Sequence, residues 1–155
     1  MDVKYINPFV ESVLNNPEQM AALKAEKLNL SVTKEAKTTL EISGIIGLSG
    51  SVKGSAVISF PKSIALAVAS AMFIEELSEL NDDVKDGSGE FTNIVVGNAR
   101  NQLVDQGLDV TMSTPTIIIG KAHQISHPQS IPFLVIPFKT DLGNSQINVA
   151  VKEET

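Results

Sequence analysis

Three polar residues lie on one face of a predicted helix in the second half of the chain. Asp86, Glu90 and Asn93 are spaced four and three residues apart, and a helix turns by about 100° per residue, so all three point to the same side. The apolar residues of the opposite side are Phe91, Val95, Ala99 and Leu103. This pattern predicts an amphipathic helix whose carboxylate at position 90 and carboxamide at position 93 can reach one partner site together.

The polar face of this helix differs from an ordinary solvated surface. Gly97 and Asn101 extend the face, its side chains are short, and no Lys interleaves with the carboxylates. Glycine in a helix interior costs roughly 1 kcal/mol relative to alanine. We therefore expect that another group, from this chain or a partner, comes close to the backbone at Gly97.

These residues resemble a motif of the CheC, CheX and FliY phosphatases of bacterial chemotaxis. The motif is Asp or Ser, three residues, Glu, two residues, Asn, and a Pro a little over twenty residues later. Here Asp86, Glu90 and Asn93 are followed by Pro115, with 21 residues between Asn93 and Pro115. The segments around Asn93 and Pro115 are most similar to the CheX branch.

The resemblance implies a role for each residue of the motif. Asn93 would align a water molecule for in-line attack, and Glu90 would bind a lysine of the partner. Pro115 would shape the strand beside the helix. The residues that would contact the partner along the helix are Asp86, Gly97, Asn98 and Asn101.

The implied substrate is the aspartyl phosphate of a CheY-like response-regulator receiver domain. Asn93 lacks useful basicity and can only orient a water or a ligand oxygen, which suits a substrate that is already activated. The receiver would supply Mg²⁺ and lysine, so we expect no metal or cofactor on this chain. The resemblance also implies a homodimer joined through sheet edges. An alternative is a noncatalytic module of the same fold that binds a receiver or a flagellar switch component.

Composition fits one domain spanning residues 1–155. The chain is 43% apolar and 19% charged, which allows a substantial core without disulfides. A formal charge of −6 argues against nucleic-acid and anionic-membrane surfaces. The absence of cysteine, of a signal-like N-terminal segment and of a long apolar stretch predicts a cytoplasmic protein.

The order of predicted elements divides the chain into two similar halves. Each half has a helix followed by three strand-like runs, and the first half adds the helix Lys62–Phe73. This order predicts an α+β, CheC-like fold with a mostly antiparallel six-stranded sheet and helices packed on it. It also indicates an internal duplication with one active site, because Glu11 of the first helix is followed at i+3 by Leu14 instead of Asn.

The sequence also predicts where the helices begin and end. Residues 2–25 predict the first helix, which should kink or restart at Pro17. The segment 81–83 should cap the motif helix, and Gly107 should end it. Because Gly87 and Gly89 disfavour helix, regular helix beginning only at Ser88 is an alternative.

Other sequence patterns that could indicate chemistry are weak. His123 and His127 are spaced i, i+4, but they lie in a strand end or loop without an adjacent third ligand, which favours ordinary surface histidines. Ser88 lacks the Gly-x-Ser-x-Gly elbow of serine hydrolases. The glycines at positions 44–54 lack the order of a phosphate-binding loop.

Overall fold

The computed structural model describes residues 3–21, 23–33, 36–38, 40–120, 123–125 and 131–153. The helices are α1 (Val3–Ala21), α2 (Lys62–Phe73) and α3 (Asp82–Asp105). The strands of the first half are β1 (Glu26–Lys27), β2 (Ser31–Thr33), β3 (Ala36–Thr38), β4 (Ile42–Gly50) and β5 (Val52–Phe60). The strands of the second half are β6 (Val110–Met112), β7 (Thr116–Ile119), β8 (His123–Ile125), β9 (Phe133–Thr140) and β10 (Gly143–Glu153).

The main sheet is antiparallel and has six positions across its width. Its order is β1-β9-β10-β5-β4-β6, with β2 also pairing with β9 and β7 also pairing with β4. The eight strands thus occupy six positions because each outer position is split into two short strands. The predicted α+β class is confirmed. The sequence pattern missed the separate two-stranded sheet of β3 and β8.

The sheet order reveals the relation between the two halves of the chain. The last strands of the two halves in the main sheet, β5 and β10, pair at its centre. Each half places its split outer strand beside the other half's middle strand. The two halves therefore exchange their outer strands and are related by a pseudo-twofold axis at the centre of the sheet, which supports the predicted duplication. They also cannot separate without breaking the sheet.

The three helices cover one face of this sheet. Alternate residues of the central strands, including Ile58, Phe60 and Ile147, join residues of all three helices in one apolar cluster. Strand residues of the opposite parity, Val57 and Ala150, join a smaller cluster with Ile131 and Phe133. Both faces of the central strands are thus buried.

Helix α3 begins at Asp82, so the alternative start at Ser88 is wrong. Asn81 is the N-cap, and its side-chain oxygen accepts from the Val84 backbone nitrogen at 3.0 Å. Gly87 lies inside the helix. A β-carbon at this position would come within 2.9 Å of the Ala69 β-carbon on α2, which explains why glycine is found here. The glycine permits close helix packing here. At the other end, Gly107 follows the helix with φ of +91°, as predicted.

Helix α1 is continuous from Val3 to Ala21, so the expected restart at Pro17 is wrong. Proline removes one helical hydrogen bond and crowds the carbonyl four residues earlier, yet the helical geometry continues past position 17. The helix retains its packing through Phe9 and Val13, which are buried in the core.

Replacing the buried residue Ser88 should stabilise the fold, whereas most substitutions of buried residues destabilise it. Ser88 is 2% exposed, and its hydroxyl has no hydrogen-bond partner among the described residues. Ser88→Ala removes an unpaired polar atom and improves helix propensity, so it should raise the free energy of unfolding by about 1 kcal/mol. Denaturant unfolding measures this change.

Thr92 is the matched control for this substitution. One turn along the same helix, its hydroxyl donates to the Ser88 carbonyl at 2.8 Å, and its side chain fills the space above Gly44. Thr92→Ala should therefore destabilise the fold. A destabilised Ser88→Ala protein would contradict the assigned environment of this hydroxyl.

Candidate functional site

The two faces of α3 are those predicted from the sequence. The four predicted apolar residues, Phe91, Val95, Ala99 and Leu103, are all buried. On the opposite face Asp86, Glu90 and Asn101 are exposed, while Asn93 and Gly97 are half-buried. The helix therefore presents the polar residues of the motif to solvent from a rigid, packed element.

A groove beside α3 brings the motif residues together. It is lined by Lys85, Asp86, Gly89, Glu90, Asn93, Pro115 and Ile117. Asp86, Glu90 and Asn93 come from the helix, whereas Pro115 comes from the chain segment between β6 and β7. Residues that are separated in sequence thus line one open surface site.

Lys85, Gly89 and Ile117 are the lining residues that the sequence pattern did not indicate, and Lys85 is the charged one among them. Although no Lys follows the carboxylates at i, i+4 spacing, Lys85 lines the same groove as Asp86 and Glu90. It directly precedes Asp86 in the sequence, about 100° around the helix from it. Its cationic side chain offsets part of the negative charge at this end of the groove.

A β-bulge places Pro115 against the motif helix. Along β4, Ile45 pairs with Thr116 and Leu48 pairs with Met112, so three residues, 113–115, oppose only two on β4. Such an extra residue bends the strand and changes the direction of its side chains. Because residue 115 lies in the bulge, its missing N–H removes no ladder hydrogen bond.

Gly97 has open space where a side chain would be. A β-carbon built there has one neighbour within 4 Å, the Met112 sulfur at 3.9 Å. Among the described residues nothing approaches the backbone closely. The expected close approach at Gly97 therefore remains a prediction about a partner molecule.

Asn98 makes an intramolecular contact that the sequence pattern did not indicate. Although the residue is exposed, its Nδ2 donates to Asn16 Oδ1 on α1 at 2.9 Å. Asn16 in turn donates to the Ser12 carbonyl at 2.7 Å, and the Ser12 hydroxyl donates to the Val95 carbonyl on α3. Contact between Asn98 and a partner remains a prediction. One N–H of the Asn98 amide already donates to Asn16 within the chain.

Helices α1 and α3 occupy equivalent places in the two halves. A sequence shift of 82 residues aligns Phe9 with Phe91 and Asn16 with Asn98. The aligned asparagines, Asn16 and Asn98, are also the two that are hydrogen-bonded to each other. The same shift places Pro8 at the position of Glu90 and Glu11 at that of Asn93. The first half therefore lacks both side chains of the site.

The split outer strands also correspond between the halves. Lys27 pairs with Phe138 and Ser31 with Val135, so three residues oppose two in the first half as well. The third residue of this bulge is Leu30, where the second half has Pro115. The bulge thus belongs to the repeated fold, while the proline belongs to the half with the site.

The described part of the chain contains no group of three or more His, Cys, Asp or Glu residues that could hold a metal ion. His127 and the side chain of His123 lie outside the described residues, so the expectation for them stays a prediction. Across the same described residues, no helix is long and apolar enough to cross a membrane.

The groove can bind and orient but offers little acid–base chemistry of its own. The Asn93 amide can donate to and accept from a water or a ligand oxygen, and it does not exchange protons near neutral pH. Glu90 is an exposed carboxylate three residues before it. Such a pair can position an attacking molecule on a substrate that already contains its activating groups.

Comparison with known proteins places the chain among chemotaxis phosphatases. The family model described as chemotaxis phosphatase CheX matches residues 42–139, which include α3 and the Pro115 bulge. The CheY-P phosphatase CheX of Thermotoga maritima is 25% identical over 122 residues, covering 78% of this chain and 79% of that protein.

Solved structures extend the similarity to nearly the whole chain. A CheC-like superfamily protein from Shewanella sp. PV-4 is 34% identical, with a TM-score of 0.87 and coverage of 98% of this chain and 99% of that one. CheX in a CheX–CheY–BeF₃–Mg²⁺ complex from Borrelia burgdorferi is 28% identical, with a TM-score of 0.72 and coverage of 96% and 98%.

Proposed function

The chain belongs to the CheX family of chemotaxis phosphatases, and from this we propose that it hydrolyses the aspartyl phosphate of a CheY-like receiver domain. The Thermotoga maritima relative is named a CheY-P phosphatase, and the Borrelia burgdorferi relative forms a complex with CheY and BeF₃. BeF₃ on a carboxylate mimics a phosphoryl group. The substrate of this chain would accordingly be a phosphorylated protein.

One structural observation carries the proposal more than any other. Asp86, Glu90, Asn93 and Pro115 line a single groove although they come from a helix and a bulged strand segment. The helix supplies the exposed residues and the bulge forms the opposite wall. A receiver seated on this groove would meet Glu90 and Asn93 on one rigid helix.

In the proposed reaction, Asn93 holds a water in line with the phosphorus–acyl oxygen bond. The water oxygen forms a bond to phosphorus while the bond to the aspartate oxygen breaks. The aspartate leaves as a carboxylate, and the water protons end on inorganic phosphate or solvent. No general base is required of Asn93, because catalysis of phosphoryl transfer rests largely on positioning and electrostatic stabilisation.

The receiver would supply the remaining electrostatic groups. Its Mg²⁺ would neutralise charge on the phosphoryl oxygens. Glu90 would pair with a receiver lysine and set the register of docking, while Lys85 would face acidic groups around the phosphorylation site. Asp86, Gly97, Asn98 and Asn101 would extend the contact along the same face of α3.

Glu90→Gln tests the proposed ion pair because it keeps size and some hydrogen bonding while removing charge. A charge pair at a partly dehydrated interface commonly loses 2 kcal/mol or more when one member is removed, about a 30-fold weakening. We expect that loss in calorimetric binding to a BeF₃-activated receiver, with reduced turnover. Glu11→Gln, on the exposed side of α1, is the matched control.

A double-mutant cycle with the receiver lysine identifies the partner of Glu90. If the two groups form a pair, replacing both should cost little more than replacing either one. Strictly additive losses in the four combinations would show that Glu90 does not meet that lysine.

The proposed activity is tested with a panel of phosphorylated receivers from the same organism. The purified chain is incubated with each receiver, and phosphate release is followed against spontaneous loss. At least one receiver should lose phosphate faster when the chain is present. Unchanged release from the whole panel would contradict the proposal.

We also propose that residues 1–155 form one CheX-like domain that acts as a homodimer in the cytoplasm. One core cluster spans from Tyr5 to Val151, which supports a single domain. Exposed apolar residues lie at or beside the outer strands, with Leu30 46%, Val32 68% and Ile119 43% exposed, which supports pairing through a sheet edge. Light scattering in solution distinguishes dimer from monomer.

A further inference from the structure

A polar network that is buried except at Asn98 joins α1 to the motif helix through Ser12, Asn16, Val95 and Asn98. Ser12 is 2% exposed and Asn16 is 4% exposed. Asn16 Nδ2 lies 2.7 Å from the Ser12 carbonyl and 2.9 Å from its hydroxyl, while Asn16 Oδ1 accepts from Asn98. The Ser12 hydroxyl donates to the backbone carbonyl of Val95. We call these four residues the α1–α3 network.

The network connects to both the backbone and a side chain of α3. Val95 lies two residues after Asn93, and Asn98 lies one turn further along. A hydrogen bond to the Val95 carbonyl restricts movement along the helix axis. A second bond to the Asn98 side chain restricts rotation about that axis, because the two α3 groups lie at different heights and directions.

Near its C-terminal end α3 makes two further hydrogen bonds, from Arg100 Nε to the Val110 carbonyl at 2.7 Å and from Gln106 Nε2 to the Lys4 carbonyl at 3.3 Å. Around the motif residues, the contacts outside the network are less directional. Gly87 rests on Ala69 of α2, and Thr92 rests on Gly44 of the sheet. Apolar contacts between such small groups oppose separation of the helix but define its rotation poorly, because burial is roughly proportional to area and non-directional. Hydrogen bonds between buried groups require particular distances and angles.

Stability alone is a weak reason for this arrangement. Replacing buried polar groups with well-packed apolar ones is often neutral or stabilising, whereas a fully satisfied network specifies a single arrangement. Here Ser12 and Asn16 share α1 with Phe9 and Val13, which are buried in the apolar core. The network joins α1 to α3 by hydrogen bonds where the rest of the core is held by apolar packing.

We propose that Ser12 and Asn16 are positioning residues that hold α3, and hence Asn93, in the orientation needed for catalysis. This inference rests on the proposed phosphatase function. Catalysis by an oriented water is sensitive to geometry, since a misplacement of about 1 Å can cost about 10²-fold in rate. The half without a site therefore contributes to the reaction through α1.

Asn16→Leu tests the inference because it keeps a similar volume while removing every hydrogen bond of the Asn16 side chain. We expect kcat for receiver dephosphorylation to fall about tenfold, with KM within about twofold of the wild type. Val13→Ala is the matched control, since it removes buried apolar packing from the same helix and none of the hydrogen bonds of the network. At a temperature where both variants are folded, it should leave kcat within about twofold of the wild type.

A second readout needs no receiver. The NMR signals of the Asn93 backbone and side-chain amides should move or broaden in Asn16→Leu and remain in place in Val13→Ala. Ser12→Ala, a smaller change that breaks the bond to Val95, should move the same signals and covers the case in which Asn16→Leu does not fold. Equal kcat values for Asn16→Leu and Val13→Ala, or unmoved Asn93 signals, would overturn the proposal. If the wild type acts on no receiver, the proposed function fails and the NMR comparison decides the positioning role.

Discussion

Replacing Asn93 with alanine should lower the rate of receiver dephosphorylation by about 10²-fold or more while leaving the protein folded. Removing one oriented polar group from a catalytic site commonly has an effect of this size. Asn93 is half-buried at the groove and lies opposite the apolar face of α3, and alanine favours helix. Single-turnover phosphate release from a phosphorylated receiver measures the loss.

Glu11→Ala is the matched control for this experiment. Glu11 is exposed on α1 and occupies the position that the 82-residue shift relates to Asn93. It should leave turnover unchanged, because the groove lies at α3. Turnover of Asn93→Ala within about threefold of the wild type would contradict the role assigned to Asn93.

Phe91→Ala should lower the free energy of unfolding by about 3 kcal/mol, the largest stability effect expected on the motif helix. Phe91 is 2% exposed and meets Phe60 of β5 edge to face, with ring centroids 5.7 Å apart. The substitution removes apolar burial and leaves a cavity between α3 and the sheet. For a chain of this length the midpoint of thermal unfolding should fall by roughly 6–12 °C.

Phe73→Ala provides the comparison for Phe91→Ala. Phe73 lies at the end of α2 and is 44% exposed, so its truncation should cost less than about 1 kcal/mol. The fraction of Phe91→Ala protein that remains folded should still dephosphorylate the receiver. An unchanged thermal midpoint for Phe91→Ala would mean that α3 faces the other way.

The buried face of α3 could be predicted because it depends only on the spacing of apolar residues along the helix. The spacing of Phe91, Val95 and Leu103 placed them in the core, and the polar residues followed on the opposite side. The helix start was harder to predict because Gly87 has a low helical preference. In the structure it is retained for contact with Ala69, a residue of a different helix.

The parts of the site that the sequence pattern missed depend on long-range contacts. The bulge at Pro115 arises from the register between β4 and its split neighbour, which no local period indicates. The bond between Asn16 and Asn98 requires two helices from different halves to meet. Each residue has an ordinary local context, and only their shared shift of 82 residues could have related them.

The most direct test of the account is multiple-turnover hydrolysis with the chain well below the concentration of phosphorylated receiver. A phosphatase releases many phosphates per chain, and release continues at a rate proportional to the amount of chain. A noncatalytic docking module binds the receiver without such release. We predict sustained turnover by the wild-type chain. Stoichiometric binding with no acceleration of phosphate release, from receivers that bind the groove tightly, would contradict the account.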